Sequence, residues 1–219
     1  MEKGDFVEIE YIGQIQGSQE IFDLTNEKIA KETGIFNPNV KYGPMKIIVG
    51  KKMMLPPLDK AIEKMKISEE KEITINKEDG FGNRDLKMIK IISLNNLKKQ
   101  NINPIAGQFL NFGNLQGKVI SVNSGRVRID FNHPLAGKNL VYKLKLTKKI
   151  ENKKDMVETI CENIIKITPE IDLKTTSLTL KTKIKIPDKL KTELKAEITK
   201  YIKDIKLIKI EEQEVPQKK

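Results

Sequence analysis

The N-terminal part of the chain shows the alternation of apolar and polar residues that is typical of half-buried strands. Val7, Ile9 and Tyr11 alternate with Glu8 and Glu10, so one face of this segment is apolar. Further strands are predicted at 20–24, 45–49 and 71–75. A helix is predicted from Pro57, because proline suits the first helical turn. Its apolar positions recur at helical spacing and are Leu58, Ala61, Ile62 and Met65.

The connection between the third strand and this helix is apolar, although polar turn residues are expected there. Met53, Met54 and Leu55 occupy it. Apolar side chains at the start of a helix predict the floor of a shallow apolar pocket, which the other elements surround.

Residues 86–137 differ from their surroundings in charge. They hold seven Lys or Arg residues against one acid, Asp130, whereas residues 1–85 hold 13 against 16. Their pattern predicts a mainly β segment. Its strands are expected at 88–94, 107–113, 118–122 and 126–131, with a helical turn at 95–100 and a hairpin at Asn123-Ser124-Gly125.

Residues 151–219 are predicted to form a separate α/β domain of two helices and two strands. A unit of about 70 residues is marginal on core size alone. Its apolar helix faces therefore predict burial against a second copy, giving a two-fold homodimer, and docking onto the preceding domain is the alternative. These faces include Ile160, Ile164, Leu194, Ile198 and Ile202.

Composition excludes several classes of protein. The single cysteine, Cys161, rules out an internal disulfide framework. The single histidine, His133, argues against a histidine metal site or a histidine-dependent triad, and its place in a chain reversal predicts a structural cap. No apolar run reaches transmembrane length and the N-terminus is charged from Glu2 onward, so neither a membrane span nor a signal peptide is predicted. The protein is therefore expected to be cytoplasmic. Its net charge of +11 suits acidic partners, but basic residues without interleaved aromatics argue against nucleic acid.

Several motifs occur in an order that resembles the FKBP-type peptidyl-prolyl cis-trans isomerases. They are Tyr11 with Gly13, Phe22-Asp23, Val49-Gly50, Met54-Leu55 and Phe81-Gly82. The run Asn132-His-Pro-Leu-Ala-Gly-Lys-Asn-Leu-Val-Tyr142 closely resembles the exit from the insert-in-flap domain of SlyD-like members. The resemblance covers residues 1–150 and, with the extra C-terminal domain, is to the long archaeal type.

This resemblance implies an α+β fold, in which an antiparallel half-barrel wraps on a short helix. Residues 1–85 and 137–150 would form this isomerase domain, residues 86–136 the inserted mainly β flap domain, and residues 151–219 the C-terminal α/β domain. The implied function is a prolyl isomerase with chaperone activity toward unfolded or partly folded, proline-containing polypeptides. No metal and no cofactor are implied, because the mechanism consists of desolvating and twisting the prolyl amide in an apolar pocket.

By the same resemblance, Tyr11, Asp23 and Phe81 are the implied catalytic residues, with Tyr11 as the partner of Asp23. The implied substrate-binding residues of the pocket are Phe22, Met45, Met54, Leu55, Leu58 and Tyr142. On the insert, Phe109, Leu110 and Phe112 are expected to grip unfolded chain.

Three departures from the family pattern predict modest catalysis. Leu58 stands where the family has a tryptophan floor, Phe81 lacks the hydroxyl that binds a peptide carbonyl, and Met45 and Met54 replace stiffer residues. Two alternatives stay open. One is a binding-only holdase on the same fold, and the other is a ribosome- or RNA-associated factor that uses the basic insert.

Overall fold

The computed structural model describes residues 1–212 and divides into two compact units. The first consists of Met1–Gly13, Ile21–Ile73 and the chain from Tyr142 onward, and the second of Gln14–Glu20 and Thr74–Val141. Residues 213–219 of the predicted C-terminal domain lie outside the described residues. Mainly antiparallel sheets and a few helices make up the described residues, so the α+β prediction is confirmed.

Strands outnumber helices along the chain. In chain order, the strands are β1 (Phe6–Ile15), β2 (Ile21–Leu24), β3 (Met45–Ile48), β4 (Glu70–Ile75), β5 (Ile89–Ser93), β6 (Phe109–Phe112), β7 (Leu115–Asn123), β8 (Arg126–Asp130), β9 (Leu140–Lys149), β10 (Glu170–Leu173), β11 (Ser177–Thr182) and β12 (Leu207–Glu212). The helices are α1 (Glu27–Glu32), α2 (Pro56–Lys64), α3 (Leu94–Lys99), α4 (Lys153–Ile165) and α5 (Asp188–Tyr201).

A five-stranded sheet, most of whose residues belong to the first unit, has an apolar core on each face of its β1–β3 pair. Its order is β2-β1-β9-β4, and β3 pairs with β1 so that Val7 lies opposite Ile47 and Phe6 opposite Ile48. Val7 and Ile47 pack with Ile62 of α2. Phe6 and Ile48 belong to a different core, together with residues of α4 and α5. Consecutive residues of a strand point to opposite faces, so the β1–β3 pair separates two cores.

The C-terminal helices are covered within a single chain. They pack with β10, β11 and β12, where β11 runs antiparallel to β10 and parallel to β12, and with Phe6 and Ile48. Of the apolar positions that predicted a homodimer, Ile160, Leu194, Ile198 and Ile202 are buried and Ile164 is half-buried. The need for a second copy is therefore not supported, and docking onto the preceding domain is what the structure shows.

The insert forms a four-stranded antiparallel sheet in the order β5-β8-β7-β6, with α3 packed against it. Its core residues are Leu97, Leu110, Val119, Val127 and Ile129. The hairpin predicted between the last two strands is present, and Ser124 and Gly125 take the positive φ angles of 48° and 74° that such turns require. Gly117 is buried beneath Ile129, whose Cγ2 would lie 2.5 Å from a Cβ at this position.

Hydrogen bonds close the point where the chain enters and leaves the insert. Arg84 Nε donates to Asp130 Oδ2 at 2.8 Å. Asn132 donates from Nδ2 to the carbonyl of Asp85 and accepts from its backbone N–H, both at 2.9 Å. The two chain segments are therefore held side by side, as an inserted domain requires.

Residues 1–212 contain no helix that is long and apolar enough to cross a membrane. The same residues contain no group of three or more His, Cys, Asp or Glu side chains arranged to hold a metal ion.

Candidate active site

A hydrogen bond joins Tyr11 of β1 to Asp23 of β2. The Tyr11 hydroxyl donates to Asp23 Oδ2 at 3.0 Å, and the Asp23 side chain is exposed. Thr25 fixes the backbone beside this pair, because its Oγ1 accepts from the Tyr11 N–H at 3.0 Å and its N–H donates to the Tyr11 carbonyl at 3.1 Å. The pairing expected from the sequence is present, and it leaves carboxylate lone pairs of Asp23 facing solvent.

Burial keeps the hydroxyls of this site protonated. The pKa of Tyr11 is raised well above its usual range, first by burial and then by the charge of Asp23 and the hydrogen bond to it. Burial and the same carboxylate raise the pKa of Tyr142 to about 12. Near neutral pH both tyrosines are therefore neutral, with Tyr11 a fixed hydrogen-bond donor.

Aromatic rings surround the pair on one side. Tyr142 of β9 packs edge-on against Phe22 with ring centroids 5.7 Å apart, and its centroid lies 5.9 Å from that of Tyr11. Gly13 makes room for them, because a Cβ there would lie 2.8 Å from Phe22 Cζ and 3.0 Å from Tyr142 Cε1. Its motif position was recognised in the sequence, but this steric role shows only in the folded chain.

The apolar residues of the predicted pocket are not equally accessible. Met45 at the start of β3 and Met54 before α2 are half-buried and pack on the core beneath the sheet. Leu55, the N-cap residue of α2, is also half-buried. Leu58 is 0% exposed, so it offers no surface to a ligand. Its predicted direct contact with substrate is therefore not supported by the structure.

A cavity of about 580 Å³ brings Tyr11, Asp23 and Met45 together with the 40–46 segment and with α4. Phe22, Met54, Leu55, Leu58 and Tyr142 are not among its lining residues. A smaller cavity of about 420 Å³ is lined by β1, β4, β9 and the 25–29 segment, and it contains Tyr11 alone among the candidate residues. The participation of α4 was not anticipated, because the contacting residues lie more than 100 positions apart in the chain.

Charged contacts hold α4 against the 41–46 segment. Lys46 Nζ lies 2.5 Å from Glu158 Oε2 and 3.4 Å from Asp155 Oδ1, and Lys41 Nζ lies 2.8 Å from Glu162 Oε1. Burial alone would lower the pKa of Lys46, but the hydrogen bond to Glu158 and the two negative charges outweigh it and raise that pKa. Lys46 is therefore a permanent cation between two carboxylates.

Phe81, in the second unit, is stacked on His133. The two rings are parallel within 2° and their centroids are 4.2 Å apart. His133 Nδ1 accepts a hydrogen bond from the backbone N–H of Leu135 at 3.1 Å, which confirms the structural cap. His133 thus fixes the orientation of the Phe81 ring.

The predicted grip of the insert is divided between its surface and its core. Phe109 is 46% exposed, whereas Leu110 is buried and Phe112 packs edge-on against Phe131 with centroids 5.4 Å apart. Strand alternation explains the difference, so Leu110 is corrected to a core residue, while Phe112 is half-buried and packs against that core. Other apolar side chains join Phe109 at the surface of the insert, namely Ile91, Ile105 and Leu115.

Comparisons with known proteins agree with this architecture. Residues 1–98 match the family described as FKBP-type peptidyl-prolyl cis-trans isomerase, and residues 90–135 match that described as FKBP26, IF domain. The chain is 34% identical over 146 residues to the short-type peptidyl-prolyl cis-trans isomerase of Methanocaldococcus jannaschii, covering 67% of this chain and 92% of that protein. It is 28% identical over 141 residues to the FKBP-type peptidyl-prolyl cis-trans isomerase SlyD of Helicobacter pylori, covering 63% and 69%.

Among solved structures, a multi-domain immunophilin from Arabidopsis thaliana matches with 16% identity and a TM-score of 0.34. The match covers 74% of this chain and 43% of the immunophilin. This likeness is too distant to carry an argument about the site.

Proposed function

This chain belongs to the family of FKBP-type peptidyl-prolyl cis-trans isomerases, and we propose that its substrates are prolines in unfolded or partly folded proteins, toward which it also acts as a chaperone. The observation that carries the proposal is the hydrogen-bonded pair of Tyr11 and Asp23 beside the rings of Phe22 and Tyr142. This site combines one polar edge with an apolar wall. These are the two features that prolyl isomerisation requires, a group that positions the substrate and a surface that excludes water.

Rotation about a prolyl bond meets a barrier of about 18–20 kcal/mol, most of which is lost amide resonance. No bond is broken and no proton has to move, so no nucleophile or metal is required. The twisted amide has a smaller dipole than the planar one, and an apolar, water-poor surface therefore favours the transition state over the ground state. Lowering the barrier by roughly 5 kcal/mol accelerates the reaction about a thousandfold or more.

In this proposal the residues divide into an apolar wall and a polar edge. Phe22, Met45, Met54 and Leu55, which are half-buried, exclude water. Tyr142 is only 5% exposed and acts by packing against Phe22, and Leu58 belongs to the buried core. Asp23 accepts an N–H of the client chain, and Tyr11 orients the carboxylate by donating to its other side. Phe81 stays a predicted catalytic residue; its ring is stacked on His133 and carries no hydroxyl, which is consistent with modest catalysis.

Asp23→Ala and Tyr11→Phe test this assignment in a protease-coupled assay with a proline tetrapeptide. Loss of a hydrogen bond to a charged group costs about 1.5–3 kcal/mol, so we expect Asp23→Ala to lower kcat/KM by roughly 10- to 100-fold. Tyr11→Phe should have a smaller effect of the same sign. Because Asp23 is exposed, the melting temperature should change little.

Asp172→Ala, which removes an exposed carboxylate of β10, is the matched control and should leave the rate unchanged. Full activity of both site variants at unchanged melting temperature would show that the site is assigned wrongly. A wild-type rate equal to the uncatalysed one would instead support the binding-only holdase.

The chaperone part of the proposal rests on the exposed apolar side chains of the insert. Replacing residues 86–136 by a short Gly/Ser turn should preserve isomerisation of tetrapeptides and abolish assistance to a refolding protein. In the chain that keeps its insert, Phe109→Ser should weaken the assistance to the refolding protein. Its control is Ile184→Ser, because Ile184 is similarly exposed (53% against 46%) but lies in the C-terminal domain. Equal refolding assistance with and without the insert would contradict the proposal.

A homodimer through the C-terminal domain and a cytoplasmic location remain predictions. The sequence argument for a dimer is weakened, because most of the apolar positions that suggested it are buried within one chain. Sedimentation of the full chain at micromolar concentration tests it, and a monomer would remove it.

A further inference from the structure

The cavity beside Asp23 has walls from two distant parts of the chain. One wall is formed by Tyr11, Asp23 and the 40–46 segment, and the other by residues of α4. We call this cavity the α4 cleft. Its α4 wall consists of Glu158, Thr159, Glu162, Asn163 and Lys166.

The α4 wall is rigidly attached. Val157 and Ile160 are buried in the core that also contains Phe6 and Ile48, so the helix is packed on the strands that carry the site. The ion pairs of Lys46 with Glu158 and of Lys41 with Glu162 fix its opposite edge. Asp23 and α4 therefore face the same cleft. Its volume of about 580 Å³ is larger than a single proline ring needs.

The charges of the α4 cleft do not cancel locally. Among the lining residues, Lys46 pairs with Glu158 and Lys41 pairs with Glu162, so these four charges cancel. Glu8 also lines the cleft and adds one negative charge, which Lys148 contacts from outside the lining. Asp23 adds another, because its partner Tyr11 is neutral. Opposing them, Lys166 is the exposed C-cap residue of α4 and lines the same cleft.

We propose that α4 is a specificity wall of the isomerase, which binds client residues flanking the proline and favours a cationic residue there. The inference rests on the proposed function, since it places the proline at the Tyr11–Asp23 pair. It adds that the C-terminal domain, which lies outside the segments matched to the family, takes part in substrate selection. Lys166 limits the preference, because its own charge repels the favoured residue.

Two substitutions in the full-length chain test the charge preference. Lys166→Glu makes the cleft more negative, and Lys154→Glu makes the same change at an exposed position of α4 that does not line it. Labelled proline peptides with Lys or Glu at positions flanking the proline are compared by fluorescence anisotropy for binding and by a protease-free assay for kcat/KM. Exposed charge pairs contribute about 0.2–1 kcal/mol, so Lys166→Glu should raise the preference for the Lys peptide roughly 1.4- to 5-fold. Lys154→Glu should not change it.

A steric substitution gives an independent measurement. Asn163→Trp places a large side chain in the cleft and should lower kcat/KM for a long peptide at least fivefold, while a tetrapeptide should be unaffected. Lys154→Trp is the matched control. Equal Lys/Glu preference in the wild type and in Lys166→Glu, no effect of Asn163→Trp on the long peptide, or no measurable peptide binding would each overturn the inference. Binding that keeps the predicted preference without any catalysis would support it and contradict the isomerase proposal instead.

Discussion

Replacing Gly13 with alanine tests whether the aromatic wall is both tightly packed and functional. The new Cβ would lie 2.8 Å and 3.0 Å from Phe22 Cζ and Cε2, and 3.0 Å from Tyr142 Cε1. Carbon atoms in favourable contact are about 3.5–4.0 Å apart. Both rings must therefore withdraw by roughly half an ångström or more, and the edge-on contact between them must change.

The expected cost follows from this overlap. Overpacking of a filled site costs about 1–3 kcal/mol, and this range includes part of the roughly 0.5–1.5 kcal/mol of the aromatic contact. For a protein of this size, each kcal/mol lowers Tm by roughly 2–4 °C. Misplacement of a binding group by about 1 Å can reduce activity a hundredfold, so the smaller shift of these rings should lower kcat/KM about tenfold.

Urea unfolding and the tetrapeptide assay measure the two effects. Gly80→Ala is the matched control, because its Cβ would meet no atom closer than 3.5 Å and its φ is not positive. It should change the free energy of unfolding by less than about 0.5 kcal/mol. If Gly13→Ala behaved like this control in both measurements, the rings would not be packed as described, and the wall would not serve catalysis.

Two further predictions concern the tyrosine of the wall and the core of the insert. The pKa of Tyr142 is about 12 in the folded protein and about 10 in the unfolded chain, so the unfolded state loses its proton first as pH rises. The contribution of Tyr142 to the free energy of unfolding is thus fully present below pH 10. About 2–3 kcal/mol of it is lost between pH 10 and about 12. Tyr142→Phe should lose less stability than the wild type when pH is raised from 9 to 11, and equal losses would contradict the assignment. Gly117→Ala should destabilise the insert by about 1–3 kcal/mol. Hydrogen exchange in β7 and β8 should become faster, while tetrapeptide turnover stays unchanged. Unchanged exchange would show that Ile129 can move away from the added methyl group.

Local patterns were sufficient to predict the elements that position the site. The alternation around Val7 and the helical spacing from Leu58 gave β1 and α2 nearly as observed, because these signals depend only on neighbouring residues. β10, Glu170–Leu173, was not predicted, although it is as long as β2 and β3. The opposite roles of Phe109 and Leu110 follow from strand alternation and were predictable in principle.

Tertiary complementarity was not accessible from the sequence. Lys46 and Glu158 are 112 positions apart, and nothing in either local pattern indicates that they meet. The α4 cleft was missed for the same reason. The need for a glycine at Gly13 likewise depends on two rings from other strands, Phe22 and Tyr142, which converge only after the sheet has formed.

The core that contains Phe6 also has a consequence for biosynthesis. Phe6 and Ile48 leave the ribosome early, yet their partners extend to Ile202 and Ile205 near the end of the described chain. At about 5–20 residues per second, the roughly 160 residues between Ile48 and Ile205 take about 8–30 s to synthesise. During that interval one face of the β1–β3 pair lacks its cover. A protein proposed to assist the folding of others is thus itself, while nascent, a chain with an exposed apolar strand.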